Sequence, residues 1–318
     1  MKQLTKNLSN ESKKGRCLTE TLFNELKEGP LNGLLEYVKN DDTLDMEFRG
    51  DYLTIYYRGG ELLVVKEKKT KYSWGKLNKK YIPSEYNGGN GLKNKPNQFE
   101  DYIPEAKHLI DYYIRHGKKN HLGEKEIQQL IVKENNYSPN SNDTDYFIVD
   151  MEYEESGNIE GGRFDLIALR WDSTVFARKK DEVSLAIIEV KQGINSIRTS
   201  EESSGLRKHQ MDFDAFIEKK KNENKLEAFC KDMIKIFKQK CELGLIRANK
   251  KIEGIETSSE LKPNYDSIEF ICILANYKEK SGALDNELHE MKECKFITSS
   301  FMGYGLFANN IVTLPKKK

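Results

Sequence analysis

The sequence predicts an α/β fold with a mixed central sheet flanked by helices, preceded by a small N-terminal α+β module. From residue 123 onward, apolar spacings follow the order helix–strand–strand–strand–helix–strand–helix–strand, which is typical of a mixed sheet covered by helices. Three strand-like runs before residue 100 indicate an antiparallel meander. The segment 267–276 is almost wholly apolar, as in a buried central strand. We therefore expect two domains, residues 1–100 and 101–318.

The N-terminal module begins with two stretches of helical apolar spacing, over 18–28 and 31–39. The three strand-like runs that follow are LDMEFR, YLTIYYR and ELLVVKEK. Gly50-Asp51 and Gly59-Gly60 separate them, and these residue types suit tight hairpin turns. Residues 70–98 are basic, aromatic and rich in Gly and Asn, so they predict a long loop. Its lysines and aromatic rings suit a nucleic-acid contact, and an ordinary connecting loop is the alternative.

The larger domain is expected to start with a helix over 104–117, with Pro104 in its first turn. A second helix over 123–135 has Ile127 and Ile131 on one face. The remaining predicted elements are strands at 146–153, 162–170 and 183–191, helices at 206–220 and 224–243, the strand at 267–276, a short helix near 283–291 and a strand at 294–299.

Composition excludes several classes of protein. The 52 Lys and Arg residues nearly cancel the 51 Asp and Glu residues, so any nucleic-acid contact must come from a local basic patch. The five cysteines are scattered without a Cys-x-x-Cys pair, which argues against a zinc knuckle or a disulfide scaffold. The N-terminus lacks the apolar core of a signal peptide, and no apolar run approaches the ~20 residues of a membrane span. We expect a soluble cytoplasmic protein without a membrane partner.

Three polar residues on two of the predicted strands form the candidate catalytic set. Glu189 and Lys191 end an apolar strand and share one face, because alternate strand residues point the same way. Asp165 interrupts the preceding apolar strand, and antiparallel pairing would place it beside Glu189. Buried charges are costly unless they are paired or bind a metal. Two carboxylates and the Val190 carbonyl would offer oxygen ligands to Mg²⁺ or Mn²⁺, while Lys191 would stabilise charge on a phosphate.

The pattern Asp165…Glu189-Val190-Lys191 resembles that of the PD-(D/E)xK, or restriction-endonuclease-like, nuclease superfamily. The resemblance covers roughly residues 120–300 and implies metal-dependent hydrolysis of phosphodiester bonds, with DNA as the substrate. It assigns a further catalytic acid to the helix GEKEIQQLI: Glu124, which shares a face with the helix isoleucines, or else Glu126. Phe164 replaces the proline of the nominal motif.

The resemblance also implies a helix with polar residues near the metal or phosphate after the Glu-x-Lys strand. The segment that fits this place is LRKHQMDFDAF. Its polar candidates are Arg207, Lys208, His209 and Gln210. The Gln-x-x-x-Tyr pattern of RecB-like nucleases is not met, because Gln210 is followed four residues later by Asp214.

Several candidates keep two interpretations. Arg163 suits a phosphate contact or a structural ion pair. His209 suits a general base, although a histidine on a polar helix is more commonly a surface residue. Asp150 and Glu152 suit an extension of the acidic site, but a solvated strand face is the favoured interpretation.

The overall expectation is a metal-dependent endonuclease in phage defence or repair, with a homodimer as one possible assembly. The alternative is a non-catalytic nucleic-acid-binding or protein-interaction module that retains the nuclease fold. An intact Asp, Glu and Lys set favours the enzyme.

Overall fold

A computed structural model describes most of the chain. The described residues are 15–69, 71–84, 92–116, 123–139, 141–155, 162–193, 196–197, 205–247, 261–275, 283–288, 291, 295–299, 303, 305–306 and 311–313. None of the helices in these ranges is long and apolar enough to cross a bilayer.

The N-terminal module contains two short helices and a four-stranded antiparallel sheet. Helix α1 (Glu20–Lys27) begins at Thr19, whose side chain accepts the Leu22 N–H, and α2 (Asn32–Lys39) follows it. The strands pair in the order β1-β2-β3-β4. Their bounds are β1 Leu44–Phe48, β2 Tyr52–Tyr57, β3 Gly60–Glu67 and β4 Tyr72–Gly75.

The expectation of one long loop over residues 70–98 is wrong at its start. Residues 72–75 pair with β3 as the fourth strand, and residues 79–81 form a single 3₁₀ turn. The open edge of β3 explains the extra strand, because its N–H and C=O groups would otherwise lack partners within the sheet. Part of this segment, residues 85–91, lies outside the described residues.

Helix α3 (Phe99–His116) starts earlier than the sequence predicts, and Pro104 lies inside it rather than in its first turn. Tyr102 and Ile103 are fully buried, so the turn before the proline is held by packing. The Tyr102 hydroxyl also accepts the Leu77 N–H at 2.6 Å. Burial of such side chains is worth ~1.5–3 kcal/mol each, comparable with the ~3 kcal/mol cost of an interior proline.

The larger sheet is mixed, as predicted, and its described strands pair in the order β11-β10-β9-β7-β6-β5. Strands β5, β6 and β7 are antiparallel neighbours, whereas β7, β9 and β10 run parallel. A further short strand, β8, pairs with β7. The bounds are β5 Tyr146–Glu154, β6 Arg163–Arg170, β7 Glu182–Gln192, β8 Lys262–Pro263, β9 Glu269–Ala275, β10 Lys295–Ser299 and β11 Val312–Thr313.

Helices cover the larger sheet, with α4 packed against β5 and β7 and α6 against β5 and β6. Their bounds are α4 Glu124–Asn136, α5 Leu206–Asn222, α6 Leu226–Glu242 and α7 Ala283–Leu288. Helices α5 and α6 belong to the connection between the parallel strands β7 and β9, because parallel neighbours need a long crossover along the chain. The helices carry Phe216 and Phe229, whose rings pack edge-to-face at 5.3 Å between centroids.

Buried ion pairs join the N-terminal sheet to the larger sheet and to helix α6. Asp150 on β5 is 1% exposed and accepts Arg49 Nη1 at 2.7 Å, so the favoured interpretation of a solvated strand face is wrong for this residue. Glu47 on β1 accepts a hydrogen bond from Lys240 Nζ on helix α6, at 2.7 Å. Strand β5 changes register between Ile148 and Asp150, and this bulge is a local feature that re-aims side chains. The carboxylate of Asp150 therefore belongs to the contact between the sheets.

Candidate active site

Asp165 and Glu189 lie where the pairing of β6 with β7 ends. The last paired residues are Leu166 and Ile188, so Asp165 and Glu189 are the next residues along each strand. The Asp165 side chain replaces the missing backbone partner, because its Oδ2 accepts the Val190 N–H at 2.8 Å. The N–H and C=O of one strand residue project toward the same neighbouring strand. The Val190 carbonyl therefore faces the same side as Asp165.

Glu189 and Lys191 share one face of β7 and contact each other. Glu189 is 2% exposed and Lys191 is 7% exposed, and Lys191 Nζ lies 2.5 Å from Glu189 Oε1. The intervening Val190 is fully buried and belongs to the hydrophobic cluster that also contains Ile188. Strand alternation thus packs the apolar residues on one side and collects the charged residues on the other.

The site holds more negative than positive charge. Burial raises the pKa of Asp165 to about 7, against the opposing effects of Lys191 and the Val190 amide, and the charge of Glu124 raises it further. Burial also raises the pKa of Glu189 well above its usual range, and the nearby Asp165 adds to this. Both carboxylates would be stabilised as anions by one more cation.

Lys191 is held as a cation by its surroundings. Burial lowers the pKa of Lys191, but Glu189 and Glu124 raise it more, so the net direction is upward. The ammonium group is therefore protonated at neutral pH, within the cluster of carboxylates.

The structure separates the two candidate acids of α4. Glu124 is the first residue of the helix and is half-buried, and its charge acts on Asp165, Glu189 and Lys191. Glu126 points instead toward the N-terminal sheet, where its Oε1 accepts Arg58 Nε at 2.7 Å. Glu124 is thus the residue of this pair that lies with the candidate catalytic set.

His209 contacts the site, so the expectation of a surface histidine is wrong. Its Nε2 lies 3.1 Å from Glu189 Oε1, and burial together with Lys191 lowers the pKa of His209 to about 3. A neutral imidazole bound to a carboxylate in this way donates Nε2–H. Its Nδ1 is buried and has no hydrogen-bond partner among the described residues.

The other candidates on α5 contact the protein itself. Arg207 Nε lies 3.3 Å from Glu287 Oε2, Lys208 pairs with Asp212 one turn along the helix, and Gln210 is buried. Lys208 also acts on the site electrostatically, since its charge helps to lower the pKa of His209.

Arg163 and Glu152 lie beside Asp165. Arg163 has a side chain that is 73% exposed, and its Nη2 is 3.8 Å from Glu152 Oε2. Glu152 accepts Lys125 Nζ at 2.6 Å, and its charge raises the pKa of Asp165. Its backbone φ is +57°, an uncommon conformation for a residue with a side chain. The alternating sequence around Glu152 carries no signal for this backbone conformation.

A divalent cation fits the donor chemistry as a two-carboxylate site. Asp165, Glu189 and the Val190 carbonyl supply oxygen ligands, and Mg²⁺ is commonly bound by one or two carboxylates plus water. Across the described ranges, no three or more His, Cys, Asp or Glu side chains form a group that could hold a metal ion. The arrangement therefore fits an open site and not a closed protein cage.

No family model, curated protein or solved structure matches this chain. A functional assignment consequently depends on the residues and geometry of the site.

Proposed function

We propose that the chain is a metal-dependent endonuclease of the PD-(D/E)xK type that hydrolyses phosphodiester bonds in DNA. The observation that carries the proposal is the meeting of Asp165, Glu189 and Lys191 at the open end of two antiparallel strands. The two carboxylates have raised pKa values because burial and mutual repulsion exceed the stabilisation from Lys191. Carboxylates with such raised pKa values are common at functional sites, and a bound cation would favour their ionised forms.

The order of the elements supports the same family. Helix α4 with Glu124 comes first, then β6 with Asp165 and β7 with Glu189 and Lys191, and then α5. This is the order that the resemblance to PD-(D/E)xK nucleases implies, and the mixed sheet agrees with it. The preference for DNA over RNA comes from the resemblance alone.

Asp165, Glu189 and the Val190 carbonyl would hold Mg²⁺ or Mn²⁺. When bound there, such an ion lowers the pKa of a water molecule and neutralises charge on the scissile phosphate. Asp165 stays in position because the Val190 N–H fixes one of its oxygens. Glu189 is held by the imidazole of His209, whose N–H would orient the carboxylate without adding positive charge.

Lys191 supplies the fixed cation of the reaction. Its ammonium group stays protonated in the site, so it can donate hydrogen bonds to a phosphate oxygen or to the attacking water. A donor that is already oriented stabilises the charge of the transition state without reorganisation. Glu124 acts on the same groups through its charge, which raises the pKa of Asp165, Glu189 and Lys191.

A cavity of about 510 Å³, whose lining includes Glu152 but none of Asp165, Glu189 and Lys191, is a candidate for the nucleic-acid path. It is lined by Arg163, Lys125 and Lys80, and Glu152 connects it with Asp165. Lys80 comes from the basic, aromatic segment that the sequence nominated for nucleic-acid contact. Glutamates also line the cavity, so we expect a few phosphate contacts rather than a broad basic surface.

The testing experiment incubates the purified protein with plasmid and with single-stranded DNA, in Mg²⁺, Mn²⁺ or EDTA. We expect cutting only with a metal, and none from Glu189→Ala. Glu182→Ala is the matched control, because Glu182 is an exposed carboxylate at the other end of the same strand. Cutting in EDTA, or equal cutting by Glu189→Ala, would contradict the proposal.

The second candidate, a non-catalytic binding module, is favoured by one observation. The two carboxylates already have partners in Lys191 and the Val190 N–H, so they could persist without a metal. Calorimetry separates the two functions. Saturable Mn²⁺ binding that Asp165→Asn removes supports the nuclease, whereas DNA binding without metal binding or cutting supports the module.

A further inference from the structure

Helix α4 begins without a side-chain cap. Gly123 precedes its first residue, Glu124, and offers no side chain that could accept the free N–H groups of the first turn. One turn further along, Ile127 is fully buried in the hydrophobic cluster that also contains Ile188 and Val190 of β7. The position of Glu124 therefore depends on contacts between this end of the helix and other elements.

The turn between β2 and β3 of the N-terminal module contacts this end of α4 directly. Gly59 in the turn is buried and has a φ of +72°. A Cβ at this position would lie 2.4 Å from the carbonyl carbon of Lys125 and 2.5 Å from the backbone nitrogen of Glu126. Only glycine lets the two backbones approach so closely, because it has no Cβ. The turn thus packs backbone to backbone against the first turn of α4.

Hydrogen bonds reinforce the same contact. The Gly59 N–H donates to Gln129 Oε1 at 2.8 Å, and the Gln129 side-chain amide donates to the Thr43 carbonyl at 3.0 Å. Gln129 is buried, so water competes little for these hydrogen bonds. Arg58, the other residue of the turn, adds its ion pair with Glu126. The N-terminal module and β7 therefore both contact α4 within its first two turns.

We propose that Gly59 is a positioning residue of the candidate active site, because its backbone contact sets where the first turn of α4 places Glu124. This inference rests on the proposed nuclease function, since it concerns the same site. The charge of Glu124 acts on Asp165, Glu189 and Lys191, so a displaced helix start would change these effects. A displacement of about 1 Å is enough to lower a reaction rate ~10²-fold. The N-terminal module thus contributes to the reaction through α4.

Gly59→Ala tests the position of the helix, and Gly244→Ala is the matched control. Both glycines have a φ of +72°, but a Cβ at position 244 would meet the flexible side chain of Lys39, at 3.1 Å, instead of α4. Hydrogen exchange over residues 124–136 is measured by mass spectrometry on the full chain, without metal or DNA. We expect faster exchange there in Gly59→Ala than in Gly244→Ala. Equal exchange in the two variants would overturn the proposal.

A double-mutant cycle then tests whether the effect passes through Glu124. Calorimetric titration with Mn²⁺ compares wild type, Gly59→Ala, Glu124→Gln and the variant that carries both changes. We expect Gly59→Ala to weaken Mn²⁺ affinity ~10-fold and to slow single-turnover cleavage ~10²-fold. In the Glu124→Gln background, the same change should alter Mn²⁺ affinity by no more than about twofold. A merely structural role would give a loss of the same size in both backgrounds, and that result would overturn the proposal.

Folding and the proposed function are controlled separately. Thermal melting reports folding, and Gln129→Met replaces Gly59→Ala if the latter fails to fold, because it removes the hydrogen bond from Gly59 without adding a Cβ to the turn. Wild-type protein that neither binds Mn²⁺ nor cuts DNA would overturn the proposed function and, with it, the positioning role. Wild-type protein that binds and cuts, with an unchanged Mn²⁺ affinity in Gly59→Ala, would overturn the positioning role alone.

Discussion

Replacement of Lys191 by alanine should separate chemistry from metal binding. Lys191 Nζ contacts Glu189 Oε1 at 2.5 Å in a nearly solvent-free place, so the change removes the fixed cation from the site. Loss of one oriented charge-stabilising donor lowers kcat by about 10²–10³-fold. The same change frees Glu189 from its competing partner, so affinity for Mn²⁺ should stay the same or increase.

The stability of the Lys191→Ala protein should change less than a broken buried ion pair usually implies. Removing one partner of such a pair costs ~3–5 kcal/mol when the other stays charged. The raised pKa of Glu189 lets its carboxylate take up a proton instead, which reduces the cost. We therefore expect a loss of unfolding free energy below that range, and a folded protein at 25 °C.

The assay combines single-turnover cleavage of plasmid with calorimetric titration of Mn²⁺. Lys262→Ala is the control, since Lys262 is exposed on the neighbouring strand β8. Cleavage by a folded Lys191→Ala protein within about threefold of wild type, against the ~10²-fold expected loss, would refute the role of Lys191. Joint loss of metal binding and cleavage would show that Lys191 maintains the site instead of acting in the reaction.

The remaining predictions concern the carboxylates. Glu124→Gln should cripple cleavage in the plasmid assay, whereas Glu126→Gln should leave cleavage intact. Glu126→Gln should instead lower the free energy of unfolding by ~1–3 kcal/mol in denaturant titrations, because it weakens the pair with Arg58. Equal activity of both variants would reject the assignment of Glu124 as the further catalytic acid. Asp165→Asn should lower Mn²⁺ affinity at least about tenfold, the size of one lost charged contact. The raised pKa of Asp165, about 7 against 3.8, means that the folded protein binds more protons than the unfolded chain between these values. Without metal, the contribution of Asp165 to stability should therefore fall as pH rises from about 4 to 7. Thermal melts of wild type and Asp165→Asn at pH 5 and 8 measure this, and a difference between the two proteins that is independent of pH would contradict it.

Predictions based on local patterns succeeded for the main elements and failed where contacts with distant residues determine the local structure. The mixed sheet, the helices around it and the N-terminal meander follow from apolar spacing and glycine turns. The helix that the sequence predicts to start at Pro104 starts at Phe99, because the buried packing of Tyr102 and Ile103 outweighs the preference of proline for a helix start. The strand at 72–75 was missed because its stability comes from the edge of β3.

The shared face of Glu189 and Lys191 is predictable without a structure, since side chains alternate along any strand. It also indicated Asp165 as their neighbour, because an unpaired charge in an apolar strand needs a reason. The tertiary structure alone shows that Glu126 pairs with Arg58, that His209 contacts Glu189 and that Asp150 is buried against Arg49. Each of these depends on a partner on another element, 68 residues away for Glu126 and 101 for Asp150, and residue spacing carries no information about such a partner.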